Sequence, residues 1–170
     1  MSVRKNPVRN VAYMAVMAAI IVASKEALSS LPNIELVSLL IALFTVYFGK
    51  LTVGAIYIYV FIEGLLYGFT YWWFIPYMYV WTLLWAVCSL MKKTEEPIIW
   101  ACVLGTFGLA FGFLFALLYF VLGDWSVGYA YFLSGLGFDL LHAAGNFVLT
   151  LILWKPLSRA LKRITESSHF

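Results

Sequence analysis

The chain is a succession of six apolar stretches, each near the roughly 20 residues an α-helix needs to cross about 30 Å of hydrocarbon, separated by short clusters of charge, proline and turn residues. Breaking the sequence at those clusters places the stretches at about 10–28, 35–49, 51–69, 76–91, 97–121 and 131–154. Of 170 residues, 64% are apolar and 11% charged, too few water-compatible side chains to coat a soluble domain. The outside must therefore face lipid, which excludes a cytosolic enzyme and a nucleic-acid binder. The runs are continuously apolar and lack the alternation of a membrane strand, so helices are expected rather than a barrel. The expected fold is an all-α membrane protein, a compact bundle of six transmembrane helices forming one domain over 1–170. Its second span is short and its fifth long, so their tilts must differ.

Charge placement sets the expected orientation. With the amino terminus inside, Arg4, Lys5, Arg9, Lys50, Lys92, Lys93, Lys155, Arg159, Lys162 and Arg163 all fall on the cytoplasmic side, and only Lys25 falls outside. Both termini are then cytoplasmic, and the loops around 29–34, 70–75 and 122–130 face outward. The basic start followed by Val11 to Ser24 also has the look of a secretory signal. Its removal would leave five spans and put the basic tail on the wrong side, so the stretch is taken as the first span. Cys88 and Cys102 lie in apolar runs without metal or redox spacing and read as small hydrophobes. The polar end, Thr165 to Phe170, is expected to fray.

The chain has no GxxxxGK[ST] phosphate loop, no HExxH, no CxxC pair and no GxSxG elbow, so ATP hydrolysis within it is excluded and no catalytic or metal-binding residue is assigned. What remains is a polar set toward the outer side, where burial in lipid would be costly unless the groups faced the bundle interior or a cavity. In the last span Asp139, His142 and Asn146 recur at spacings of three and four, within about 60° of one helix face, and Gly135 extends that face outward. Tyr59, Glu63 and Tyr67 form a second stripe in the third span. Two inward stripes suggest a shared pocket. The alternative is structural, with Asp139 and His142 paired to each other and Asn146 bridging helices. Glu63 has no basic neighbour in its own helix and must be neutral, paired across helices or facing a ligand. Glu35 reads as a helix cap, and Lys25 and Glu26 as an interfacial pair.

The outward loops are rich in rings: Tyr71, Trp72, Trp73 and Phe74, continued by Tyr77, Tyr79 and Trp81, and then Trp125, Tyr129, Tyr131 and Phe132. An interfacial belt and stacking on a flat ligand both account for them. Candidate substrate-binding residues are therefore Glu63, Tyr67, Trp72, Trp73, Tyr77, Trp125, Asp139, His142 and Asn146. In the first span Ala15, Ala19 and Ala23 repeat every four positions and make a smooth face that another helix can approach closely. Gly64 with Gly68, and Gly108 with Gly112, have the same spacing and read as internal packing seams.

Taken together, the six spans, the Ala15 to Ala19 match to an AxxxA pattern on the first, the Leu31-Pro-Asn-Ile-Glu-Leu-Val opening of the second and the Phe138-Asp-Leu-Leu-His-Ala-Ala-Gly-Asn146 run of the last give a chain that resembles the substrate-binding S component of an energy-coupling factor transporter, the vitamin-uptake branch of the ABC transporters. The resemblance covers essentially the whole chain. It implies a non-catalytic, multi-pass subunit of a bacterial cell membrane that captures a vitamin from outside and docks on a transmembrane coupling subunit carrying two ATPases. It also implies that Ala15, Ala19 and Ala23 form the docking surface, that outer loops close over the site, and that ATP and magnesium are bound only by the partner ATPases. Similarity to S components associated with cobalamin makes that vitamin the favoured ligand, its cobalt already held by the corrin ring. Pantothenate and a pyrimidine or pyridoxine precursor are the alternatives. The scarcity of outer basic residues argues against a multiply anionic ligand. From other classes, a membrane enzyme would use Asp139 and His142 as acid and base, and a secondary transporter would couple Glu63 or Asp139 to protons, but one six-span chain lacks the inverted repeat common to that class.

Overall fold

The structure, a computed structural model, describes residues 7–167. Arg4 and Lys5, counted above among the inner basic residues, and the end of the polar tail at 168–170 lie outside the described residues. Among the described residues the chain is helical without strands: α1 (Pro7–Ala27), α2 (Val37–Phe48), α3 (Leu51–Tyr67), α4 (Tyr71–Met91), α5 (Pro97–Leu122) and α6 (Trp125–Ser167). Four of these, α1, α4, α5 and α6, are long and apolar enough to cross a membrane. The other two are apolar but shorter. At 1.5 Å per residue the 12 residues of α2 reach only about 18 Å, against about 30 Å of hydrocarbon.

That short helix is the hub of the molecule. Every residue from Val37 to Thr45 is buried, and α2 packs on α1, α3, α4 and α6. A helix apolar on all sides can satisfy its whole circumference only inside protein or lipid, and here protein surrounds it. Glycines at positive φ end the two short helices, Gly49 (φ 57°) after α2 and Gly68 (φ 84°) after α3, a region where a side chain would be strained.

Several boundaries differ from the sequence expectation. The fourth helix begins at Tyr71 rather than near 76, so Tyr71, Trp72, Trp73 and Phe74 form its first turn and not a loop. Pro76, the sixth residue of the helix, forgoes the backbone bond to the Trp72 carbonyl without ending the helix. The expected outward loop at 122–130 shrinks to Gly123 and Asp124. Gly123 ends α5 with its N–H on the Tyr119 carbonyl, and the Asp124 carboxylate accepts the Ser126 N–H at 3.1 Å and so starts α6. α6 then runs through Pro156 to Ser167, so the polar residues expected to fray from Thr165 are helical up to that point.

α1 buries Met17, Ala18 and Ile21 against its neighbours and packs chiefly on α3. Ala15, Ala19 and Ala23 lie on its other side and are exposed. The closest pairing is between α5 and α6, and glycine makes it possible. A Cβ added at Gly108 would sit 2.8–2.9 Å from backbone atoms of His142 and Ala143, and one at Gly105 would lie 3.4 Å from the Ala143 carbonyl oxygen. The seam read at Gly108 and Gly112 is thus internal, while Gly64 faces the Phe69 ring. We predict that Gly108→Val lowers stability by about 2 kcal/mol, because the clash is with backbone that cannot rotate away. Gly137→Ala, which meets nothing within 4 Å, should hold or slightly raise the thermal midpoint in detergent, because alanine is the better helix former.

Candidate functional site

The polar stripe of α6 is buried as its spacing predicts. Asp139, His142 and Asn146 are all at most 3% exposed, and Thr150, one turn further and not singled out in the sequence, continues the row. Each side chain is held by a different element. Gly112 of α5 donates its backbone N–H to Asp139 Oδ1 at 2.9 Å, and Asn146 Nδ2 donates to the Leu104 carbonyl at 3.2 Å, which is the helix bridge expected of that asparagine. His142 does not pair with Asp139. Its Nε2 lies 3.0 Å from Glu35 Oε1, across from the α1–α2 connection. Glu35 also accepts the Ser38 backbone N–H at 3.0 Å and the Ser38 hydroxyl at 2.6 Å. One carboxylate therefore caps α2 and ties it to α6. The Ser38 hydroxyl donates to the carboxylate and not to the imidazole.

These bonds leave atoms over. Asp139 Oδ2, His142 Nδ1 and Asn146 Oδ1 are buried without a protein hydrogen-bond partner, and leaving such an atom unsatisfied costs about 1–3 kcal/mol. Thr150 Oγ1 is likewise unpartnered, and four such atoms on one helix face mark a polar locus rather than ordinary core. Beside it lies a partly open cavity of about 330 Å³. α5 contributes Phe111, Gly112 and Phe115, and α6 contributes Tyr131, Ser134, Gly135, Phe138 and Asp139. Asn33 closes one side: it adopts a left-handed backbone (φ 54°) and donates Nδ2 to the Phe138 carbonyl at 3.0 Å. Asp139 is the one charged residue among those lining it.

Of the nine expected substrate-binding residues, only Asp139 lines this cavity. The two polar stripes do not share it. Glu63, 1% exposed, is paired across helices with Lys25 of α1, whose ammonium also sits 4.7 Å from the centre of the Tyr67 ring. Lys25 is thus more than a partner for Glu26, which lies 3.8 Å away. Tyr67 is exposed and donates its hydroxyl to Glu26 at 2.7–2.8 Å. This second cluster fastens α1 to α3.

The rings also divide. Trp72 stacks on Tyr119 at 4.5 Å, and Tyr119 stacks on Tyr131 at 4.5 Å, so Trp72 buttresses a cavity residue without lining the cavity. Trp73 and Tyr77 belong to the interior, where Tyr77 contacts Tyr59, Trp81 and Phe115. Trp125 is 76% exposed and packs on Phe120, a position suited to an interfacial anchor. Sequence reasoning missed Phe111, Phe115, Ser134 and Phe138. A signal existed, since Tyr131, Gly135 and Asp139 recur every four residues along α6, as do Ser134 with Phe138 and Phe111 with Phe115. Among the described residues no group of three His, Cys, Asp or Glu side chains is placed to hold a metal ion.

The ion pair between α1 and α3 gives a direct test. Lys25→Met leaves Glu63 buried without its cation and should destabilise the protein by about 3 kcal/mol. Adding Glu63→Gln should recover at least half of the loss in a thermal double-mutant cycle; simple additivity of the two changes would show that the pair is not coupled.

Comparison with known proteins gave no match: no protein-family model, no curated protein and no solved structure matches this chain.

Proposed function

We propose that the protein is the substrate-binding S component of an energy-coupling factor importer, a non-catalytic subunit of a bacterial cell membrane. The observation that carries this reading is the partly open cavity between α5, α6 and the α1–α2 connection, walled by aromatic rings and containing one buried carboxylate. Small-molecule sites have this character, with apolar walls and a few placed polar groups. In this reading all six helices form one membrane-embedded unit, α2 shielded by its neighbours, with both termini cytoplasmic and the cavity opening outward. A transmembrane coupling subunit with two ATPases supplies the driving force, and ATP and magnesium bind there. The exposed face of α1 at Ala15, Ala19 and Ala23 supports docking of that subunit, because small side chains let a partner helix approach closely.

The cavity also bears on the ligand. A volume of about 330 Å³ is at the lower end of small-molecule sites and suits a one- or two-ring vitamin or precursor better than cobalamin, whose corrin ring alone is larger. The absence of a basic residue from the lining weighs against pantothenate, which carries a carboxylate. A pyrimidine or pyridoxine precursor is the better fit.

Protein purified from its native membrane should carry a small organic molecule that mass spectrometry identifies after denaturation. Gly135→Phe, whose new ring enters open space beside the cavity, should remove that molecule and leave assembly intact. Ala15→Trp should do the reverse, retaining the molecule while blocking association with the coupling subunit. A normal, transport-competent complex formed by Ala15→Trp would refute the docking face, and an unchanged bound molecule in Gly135→Phe would refute the cavity as the site.

A further inference from the structure

We propose that the cavity takes a small planar organic cation, of the aromatic amidinium or aminopyridinium kind, seated between the Asp139 carboxylate and the rings of Phe111, Phe115 and Tyr131. This rests on the reading of the cavity as a ligand site and names the chemistry of its occupant.

The charge balance carries the argument. Asp139 and Glu35 are two acidic groups at the outer part of α6 and the connection before α2, and His142 is their shared basic neighbour. Among the described residues no lysine or arginine pairs with either, since Lys25 is engaged by Glu63 and Glu26. With both carboxylates ionised, even a fully protonated His142 leaves one negative charge over. An uncompensated charge in a poorly solvated interior is expensive and calls for a counter-charge. Asp139 is 2% exposed, lines the cavity, and has Oδ2 without a protein partner, so an unspent hydrogen-bond acceptor stands where the counter-charge is needed.

The walls agree with a cation. Phe111 and Phe115 stack on each other at 4.8 Å, and Tyr131 is braced from behind by Tyr119. Aromatic rings attract a flat cation through their quadrupoles and bind its hydrocarbon body as well. A carboxylate with two oxygens matches the parallel N–H donors of an amidinium, although Oδ1 is shared with the Gly112 amide. An anion would meet the Asp139 charge with no lysine or arginine in the lining to offset it.

Benzamidine, benzamide and benzoate have nearly the same shape and differ in charge, so they isolate this term. Calorimetric titration of the full chain in lipid nanodiscs should show benzamidine binding at least about tenfold more tightly than benzamide, with benzoate undetectable. Asp139→Asn should bring benzamidine down to the level of benzamide, while Asp124→Asn, in the α5–α6 connection, leaves the preference intact. Should Asp139→Asn fail to fold, Tyr131→Leu provides the second arm and should weaken benzamidine by about threefold or more. Equal or tighter binding of benzamide or benzoate, a preference that survives Asp139→Asn, a Tyr131→Leu protein that binds benzamidine undiminished, or no binding of any probe overturns the proposal. Assembly with a coupling subunit is scored separately. Cation selectivity without assembly would remove the transporter reading alone, and assembly with capture of an anion would remove this one alone.

Discussion

The seating of one polar helix face against a glycine face organises this molecule. α6 carries a carboxylate, an imidazole, an amide and a hydroxyl in register, and a lipid-facing chain can tolerate that row only in its interior. Gly105, Gly108 and Gly112 of α5 let the two backbones come together there, and the Gly112 amide and Leu104 carbonyl of α5 bond to the side chains of α6. Packing and hydrogen bonding are thus one device: a Cβ at Gly108 would collide with the α6 backbone, and one at Gly112 would collide with the Asp139 carboxylate. The largely buried α2 then closes the arrangement, because Glu35 caps it and reaches His142 at the same time.

The consequences reach the cavity. The connection between α1 and α2 is pinned to α6 by two side chains, Asn33 on the Phe138 carbonyl and Glu35 on His142. The Asn33 contact is exposed, the kind that exchanges more readily than buried packing, whereas the Glu35–His142 contact is largely sheltered. The opposite side is held differently. Lys25, Glu26, Glu63 and Tyr67 fasten α1 to α3 in a separate cluster, so the face of α1 that carries the alanines stays exposed while its other face is anchored.

Much of this was legible in the sequence, and the failures have definite causes. Continuous apolar runs fixed six helices, and spacings of three and four placed Asp139, His142 and Asn146 together on a buried face. Partners across helices were not legible. Nothing in the spacing distinguishes Asp139 bonded to His142 from Asp139 bonded to a glycine amide, because that choice depends on how closely α5 approaches. Glu63 was recognised as needing a partner, yet Lys25 lies 38 residues away in sequence. The aromatic runs misled for another reason. A cluster of large rings with a proline reads as a loop, but in an apolar setting those rings propagate a helix from Tyr71, and only Tyr131 of the outer aromatics reaches the cavity.

The proposed function requires the aromatic-walled cavity between α5 and α6 to open to the side of the membrane opposite the basic helix ends. Labelling of Ser134→Cys by a membrane-impermeant maleimide tests it most directly, in a chain with Cys88 and Cys102 replaced by alanine and displayed in intact cells. The account predicts rapid labelling from outside, slowed when benzamidine occupies the cavity. Labelling that occurs only after the cells are opened, or at a rate indifferent to any occupant, would contradict it.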